Sequence, residues 1–430
     1  MIKRYFFSLF AALVAAAPLA AGDIYVSRKL GRNSNSGTAA EPVRNLWKAL
    51  ELAKDGDVIR LAGGSYRGKF NQTCFIIDKP VSIIGGYSDD FTERDYTKYV
   101  TLFRGENADN DESAPGLGVF HIEFSGSEHP GDVNMRLDGL VFDDGAANAY
   151  DDGRLPVEGL ATGAWLEPPA KGVANVRPSP ARSAIYSGNR NRAQGRLAIR
   201  NCAFVNFGHA AVNVSWYDGR VVMKNNVFVN NRLAAALVTC PSQKGGLMWE
   251  FANNVVLFTW GREGEIGGTG NALRNSRGVS ANIHDNLVGF SAGAGFDNIP
   301  GGVKTKLVIL KDNVFFLNRA GDLLVNEGEG AKRVFVEDFE DMKGRAGIEA
   351  ISGNRALLYA EKLAPLVDLD FADVFLSLKS AGRLEFRPAS VQDFRASSGL
   401  PASSRRLRER EVYFSRYGLE RALRLFNARP

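Results

Sequence analysis

Short apolar runs recur along the middle of the chain with a common internal pattern. Leu197–Val205, Val221–Val229, Ala281–Gly289 and Val308–Phe316 align, and Trp249–Leu257 sits between the second and third. Matched residues fall at 204, 228, 256, 288 and 315, in steps of 24, 28, 32 and 27 residues. Each run is β-branched or aromatic, alternates with period two and breaks at a small or polar residue, which is strand chemistry. The uneven step fits a solenoid of stacked coils with connections of variable length, and is too irregular for a helical repeat. Ile199, Met223, Phe251, Ile283 and Leu310 form an apolar column expected to point inward. Cys202, Asn226, Asn254, Asn286 and Asn313 form another. In parallel, in-register coils ~4.8 Å apart, stacked asparagines hydrogen-bond along the column, so these residues read as a turn-stabilising ladder.

The flanks differ from these coils. Lys3 and Arg4, the apolar Phe6–Pro18 and Ala20-Ala21-Gly22 predict a secretory signal peptide over residues 1–22, with Asp23 the first mature residue. The apolar run is short for a span of about 20 residues, and no later stretch is apolar enough to cross a bilayer, so the mature protein is expected outside the cytoplasm: secreted, periplasmic or at the cell surface. After Asp23–Ser27, residues 43–54 read as an amphipathic helix with Val43, Leu46, Trp47, Leu50 and Ala53 on one face. Residues 143–182 read as a Pro- and Gly-rich insertion loop. Beyond about residue 345 the coil pattern fades into a C-terminal region whose residues 404–426 look helical. That tail is expected to cap the solenoid, the alternatives being a helix that binds a protein partner or one that lies on a membrane surface.

This N-terminal segment, with Val58–Leu61, Gly63–Tyr66 and Val81–Tyr87 after it, resembles the opening of secreted right-handed β-helix proteins of the pectin-lyase-like superfamily. Gly85-Gly86-Tyr87, Glu93-Arg94-Asp95 and Thr101–Gly105 are similar to a segment of bacterial surface β-helix proteins, which favours a surface role. The resemblance covers residues 23–345. It implies an all-β, right-handed parallel β-helix solenoid with an N-terminal capping helix. It implies little about activity, because that fold carries lyases, hydrolases, epimerases and binding proteins.

Charge narrows the partners. The formal net charge is +5, but Arg405–Pro430 holds eight Arg and three Glu, so the body of the mature chain is close to neutral. A chain-wide polyanion binder is excluded, nothing points to nucleic acid, and any basic groove is local. The three cysteines, Cys74, Cys202 and Cys240, cannot pair completely and read as buried thiols, with one bridge as the alternative.

Two columns carry candidate chemistry. Arg200, Lys224, Ala252, His284 and Lys311 follow the inward column and are expected to face outward. Gly208, Arg232, Trp260, Ala292 and Arg319 lie just past the turn. Like charges stacked ~5 Å apart are unfavourable for a sheet, so a basic strip suits an acidic polysaccharide, with Trp260 stacking on a sugar ring. A lyase or epimerase reaction would begin by neutralising a uronate carboxylate and removing its α-proton. Lys224 or His284 would be the base, with Arg200 or Arg232 at the carboxylate and Lys311 and Arg319 binding substrate. The alternative is a non-catalytic surface or matrix protein in which Asp285 and Asp312 neutralise the neighbouring cations. His209 reads as a turn histidine. Glu263 and Glu265 are a weak carboxylate pair on a Gly-rich loop. Asp143, Asp144, Asp151 and Asp152 could serve Ca²⁺, but without EF-hand spacing they read as solvated loop acids.

Overall fold

The computed structural model describes residues 21–69, 74–96, 98–104, 118–124, 132–144, 182–188, 190, 192–205, 207–242, 246–260, 270–276, 278–291, 293–299, 307–316, 318, 320–327 and 330–356. Residues 1–20 of the expected signal segment and the basic tail lie outside them.

Three long sheets run the length of the described chain, one of ten strands and two of nine. Successive strands visit the first, second and third sheets in turn, so sheet neighbours come from consecutive coils. All pairings are parallel except the last of the third sheet, where Gly330–Val334 runs antiparallel to Leu323–Glu327. Parallel strands joined by such crossovers wind right-handed. The architecture is therefore the expected right-handed parallel β-helix.

Sequence periodicity explains the interior. Ile199, Met223, Phe251, Ile283 and Leu310 are Cα partners in successive strands of the first sheet, and all are buried. On the second sheet Phe103, Phe142, Phe204 and Phe228 stack ring on ring, with centroids 5.2, 5.4 and 4.8 Å apart. Offset stacking adds to the burial of each ring.

The turn from the first sheet to the second fixes the register. It is short, and its first residue takes the left-handed conformation: Asn201, Asn225, Asn253, Asp285 and Asp312 have φ of 53°–58°. Asn and Asp tolerate this region better than other non-glycine residues. The next residue forms the ladder. Asn226, Asn254, Asn286 and Asn313 are buried, and each Oδ1 accepts the backbone N–H of the preceding coil's ladder residue at 2.8–3.1 Å. Each Nδ2 donates to a main-chain carbonyl of the coil before it, Ile199, Met223, Phe251 or Ile283. Asn354 extends the ladder one coil further.

The ends are covered differently from expectation. The N-terminal helix spans only Leu46–Leu52, burying Leu46 and Ala49, because Val43 is held as a β-bridge partner of Val26 and Asn45 is still extended. At the other end a 3-10 helix, Val336–Met342, buries Val336, Phe339 and Met342 against the last coils, with Phe339 edge-on to Phe315 at 5.5 Å. All three cysteines are buried free thiols, and burial pushes the Cys74 thiol up to about 11.

Asp322 ties this helix to the last coils by accepting from Val336 N–H at 3.2 Å and Asn318 Nδ2 at 3.0 Å. Burial nonetheless pushes its carboxyl up to about 6. The raised value means that Asp322 stabilises the fold most below the ordinary carboxylate range, and that this contribution is lost as pH rises through 6. Relative to Asp322→Asn, the wild type should therefore lose on the order of 2–3 kcal/mol between pH 4 and pH 7, read by denaturant melts at both pH values. Asn286→Ala should cost roughly 3 kcal/mol, because several buried main-chain and ladder groups lose their partner.

Candidate binding faces

The outward residues of the first sheet form one unbroken row. Tyr25, Arg60, Ile84, Asp138, Arg200, Lys224, Ala252, His284, Lys311 and Ser352 are successive Cα partners. Four of the expected site residues, Arg200, Lys224, His284 and Lys311, therefore do share a face, with Ala252 between Lys224 and His284.

The two halves of that row differ electrostatically. On the C-terminal half each cation has an acid beside it. His284 Nδ1 lies 2.8 Å from Asp285 Oδ2, with Nε2 3.9 Å from Glu250 Oε1. Lys311 Nζ is 3.8 Å from Asp312. On the other half cations accumulate. Arg196 and Arg200 lie on one strand, and their Cα partners on the next are Arg220 and Lys224. Arg136 lies on the strand before. Arg220 is bound to Glu250, but Arg196, Arg200 and Lys224 have no ion pair among the described residues. Asp138, the acid in this half, is already held by Arg94 Nη2 at 2.7 Å and Asn201 Nδ2 at 2.9 Å. Between the cations, Ala198 and Val222 also point outward yet are only 4% and 1% exposed. The aliphatic stems of flanking Arg and Lys side chains cover such positions. Like charges on adjacent strands weaken a sheet, so sheet stability does not account for this cluster. Arg196 and Arg220 escaped the sequence reading, although they lie four positions before Arg200 and Lys224 and so on the same outward face.

The other expected site residues fare differently. Arg232 was expected outside, but its side chain is 0% exposed. It is the last residue of the strand Val227–Arg232, next to Asn231, whose buried amide accepts from Phe207 N–H and donates to Phe204 O as the first-turn asparagines do. Trp260 is the backbone partner of Arg232, with its side chain outside the described residues, as are Arg319 and the loop bearing Glu263 and Glu265. His209 Nδ1 lies 3.4 Å from Ser183 Oγ.

Asp143 and Asp144 also depart from expectation. Both are buried rather than solvated. Asp144 Oδ1 accepts from Arg182 Nε at 2.8 Å and from Nη2 at 2.5 Å, while burial pushes the carboxyl above its ordinary value. This pair joins the two ends of the segment 145–181. Asp151 and Asp152 lie outside the described residues, and no group of three metal-ligating side chains is found among those described.

The third sheet carries a second outward row that sequence alignment missed: His121, Tyr186, Asn213, Leu237, Arg274 and Asp297. His121 and Tyr186 meet edge to face at 5.2 Å, and Arg274 Nε is 3.2 Å from Asp297. The connections 105–117, 145–181 and 261–269 all enter this sheet from the second.

Parallel coils in three sheets, an asparagine-laddered turn and a helix on the first coil complete the diagnosis. The fold is that of the pectin-lyase-like β-helices. A protein family of unknown function, DUF1565, matches residues 29–130 of this β-helix. No functionally curated protein matches the chain significantly in sequence. Among solved structures, a rhamnogalacturonan lyase is similar with a TM-score of 0.37 and 13% identity, over 82% of this chain and 92% of its own. A pectate lyase gives 0.33 and 14%, over 84% and 85%. A lacto-N-biosidase from Eubacterium ramulus gives 0.36 and 11%, over 78% and 68%. These values are too low to carry residues or activity from those proteins to this β-helix. Among the described residues no helix is long and apolar enough to cross a membrane.

Removing Arg182 would leave the Asp144 carboxylate buried without its cation, which costs about 3–5 kcal/mol. Arg182→Ala should show that loss in denaturant melts at pH 7. The deficit should shrink as pH falls, because the carboxyl of Asp144 is raised by burial and its protonated form is the one the folded state accepts.

Proposed function

We propose that the protein binds an acidic polysaccharide along the outer face of its first sheet. The observation that carries this reading is the cation cluster on two adjacent strands, Arg196 and Arg200 beside Arg220 and Lys224, three of them without an ion pair among the described residues. A near-neutral body with one concentrated basic strip favours a polymer with regularly spaced carboxylates over non-specific polyanion binding. The carbohydrate-acting names of the structurally similar proteins agree with this reading without carrying it. The signal peptide expected over residues 1–22 supports an encounter outside the cytoplasm, in the periplasm, at the cell surface or in the medium.

The same face suggests chemistry. In a β-elimination, Arg200 would neutralise the uronate carboxylate and Lys224, its partner on the next strand, would take the α-proton. His284 lies two strands beyond Lys224, with Nδ1 occupied by Asp285, and is the second base. The alternative, an adhesive or matrix protein without turnover, is favoured by the neutralised C-terminal half of the row, where His284 and Lys311 already have acidic neighbours. On either reading Lys311 adds less to binding than Lys224.

Affinity electrophoresis through gels holding polygalacturonate, alginate or hyaluronate tests binding, and ultraviolet absorbance tests for new unsaturated uronate ends. Retention should fall several-fold in Arg200→Ala and in Lys224→Ala, and should weaken with added salt. A rise in absorbance abolished by Lys224→Ala would make it a lyase with that base. Retention without a rise would leave an adhesive protein, and no retention in any gel would sink the polysaccharide reading.

A further inference from the structure

The outward row that carries Arg200 and Lys224 begins with an aromatic group that the proposed function leaves unused. Tyr25 heads the row, and the ring of Phe91 meets it edge-on with centroids 4.9 Å apart. Tyr87 is the third ring, 6.1 Å from Phe91. Arg60 and Arg94 lie over the Tyr87 ring at 5.6 and 5.7 Å. Both cations are already neutralised, Arg60 by Asp23 at 3.0 Å and Arg94 by Asp138 at 2.7 Å. The head of the row thus offers ring faces and hydrogen bonds rather than net charge.

Phe91 occupies a backbone conformation that a phenylalanine does not choose. Its φ is +62°, in the left-handed region where only glycine, and to a lesser degree asparagine and aspartate, are at ease. The turn is fixed around it. Phe91 N–H donates to Ser88 O at 3.0 Å, and Ser88 N–H to Glu93 O at 2.9 Å. Ser27 Oγ donates to Asp89 at 2.9 Å, tying the turn to the first coil. A strained residue persists where its surroundings over-determine it, and such residues gather at binding sites. An asparagine would satisfy this backbone with less strain. The half-buried phenyl ring is what the strain preserves.

We infer that Tyr25 and Phe91 form a ring-stacking subsite for a sugar unit of the acidic polysaccharide proposed above, at the far end of the same row from Lys224. The inference rests on that reading. It adds a direction: the polymer runs along the solenoid axis, across the strands, from the charged cluster to the aromatic turn. Five strand steps separate Lys224 from Tyr25, about 24 Å at ~4.8 Å each. Bound carboxylates then meet Arg200 and Lys224, while an unionised ring face meets Phe91.

The test uses the full chain with Phe91→Asn, Phe91→Trp and Arg200→Ala, in electrophoresis through polygalacturonate, alginate and hyaluronate gels, with melting temperatures taken without polymer. Phe91→Asn should bind roughly fivefold more weakly, the scale of one lost aromatic contact. Its melting temperature should stay level or rise, because asparagine relieves the backbone. Phe91→Trp keeps a ring on the same strained backbone and should retain binding. Weaker binding by Arg200→Ala with Phe91→Asn unchanged would overturn the subsite and leave the charged face standing. Losses in both Phe91 variants that track a fall in melting temperature would make the ring structural. Absence of wild-type retention in every gel would overturn the subsite together with the polymer reading.

Discussion

Everything on the surface of this protein depends on the asparagine ladder inside the turn between the first and second sheets. A parallel sheet held only by evenly spaced main-chain hydrogen bonds can slip, and one residue of slip would exchange its inner and outer faces. The ladder prevents this by tying each turn to both neighbours. Asn286, for example, accepts from Asn254 N–H and donates to Phe251 O, while its own N–H donates to Asn313. The left-handed residue before each ladder position closes the corner tightly enough for those bonds to form. Once this corner is fixed, Ile283 must lie over Phe251, and His284 must follow Ala252 on the outside.

Register control turns a linear spacing into a surface pattern. Arg196 and Arg200 face outward because Leu197 and Ile199 face inward, and the next coil repeats the arrangement with Arg220 and Lys224. The charged cluster and Tyr25 become parts of one row only because their Cα partnership holds over the five strand steps from Tyr25 to Lys224. The corner entering the third sheet has no comparable uniformity. Its turns vary from a single left-handed residue, Leu233, to the segment 145–181 anchored by Asp144 and Arg182.

That contrast explains how much was legible in the sequence. The coils, the inward column and the ladder could be read because the turn between the first two strands of each coil is short and constant, so the runs align. The row from Arg200 to Lys311 followed by alternation. The burial of Arg232 could not be read from the sequence, because alternation is interrupted between Phe228 and the second buried asparagine, Asn231. The third-sheet row of His121, Tyr186 and Arg274 could not be aligned, because connections of unequal length precede each of its strands. The burial of Asp144 was hidden for the same reason: its partner, Arg182, lies across the longest connection. Val43 looked helical on its apolar spacing, but a bridge to Val26 competes with helix formation there.

The final strand of the third sheet has a consequence for how the stack of coils ends. In-register parallel stacking has the geometry of a fibril, and each completed coil is a template for another. Gly330–Val334 lies on the end of that template in the opposite sense. A further coil running in the common direction would meet it antiparallel, outside the pairing that joins the other coils. On this sheet, among the described residues, the parallel repeat ends in one reversed strand, a change written in chain direction rather than in side-chain chemistry.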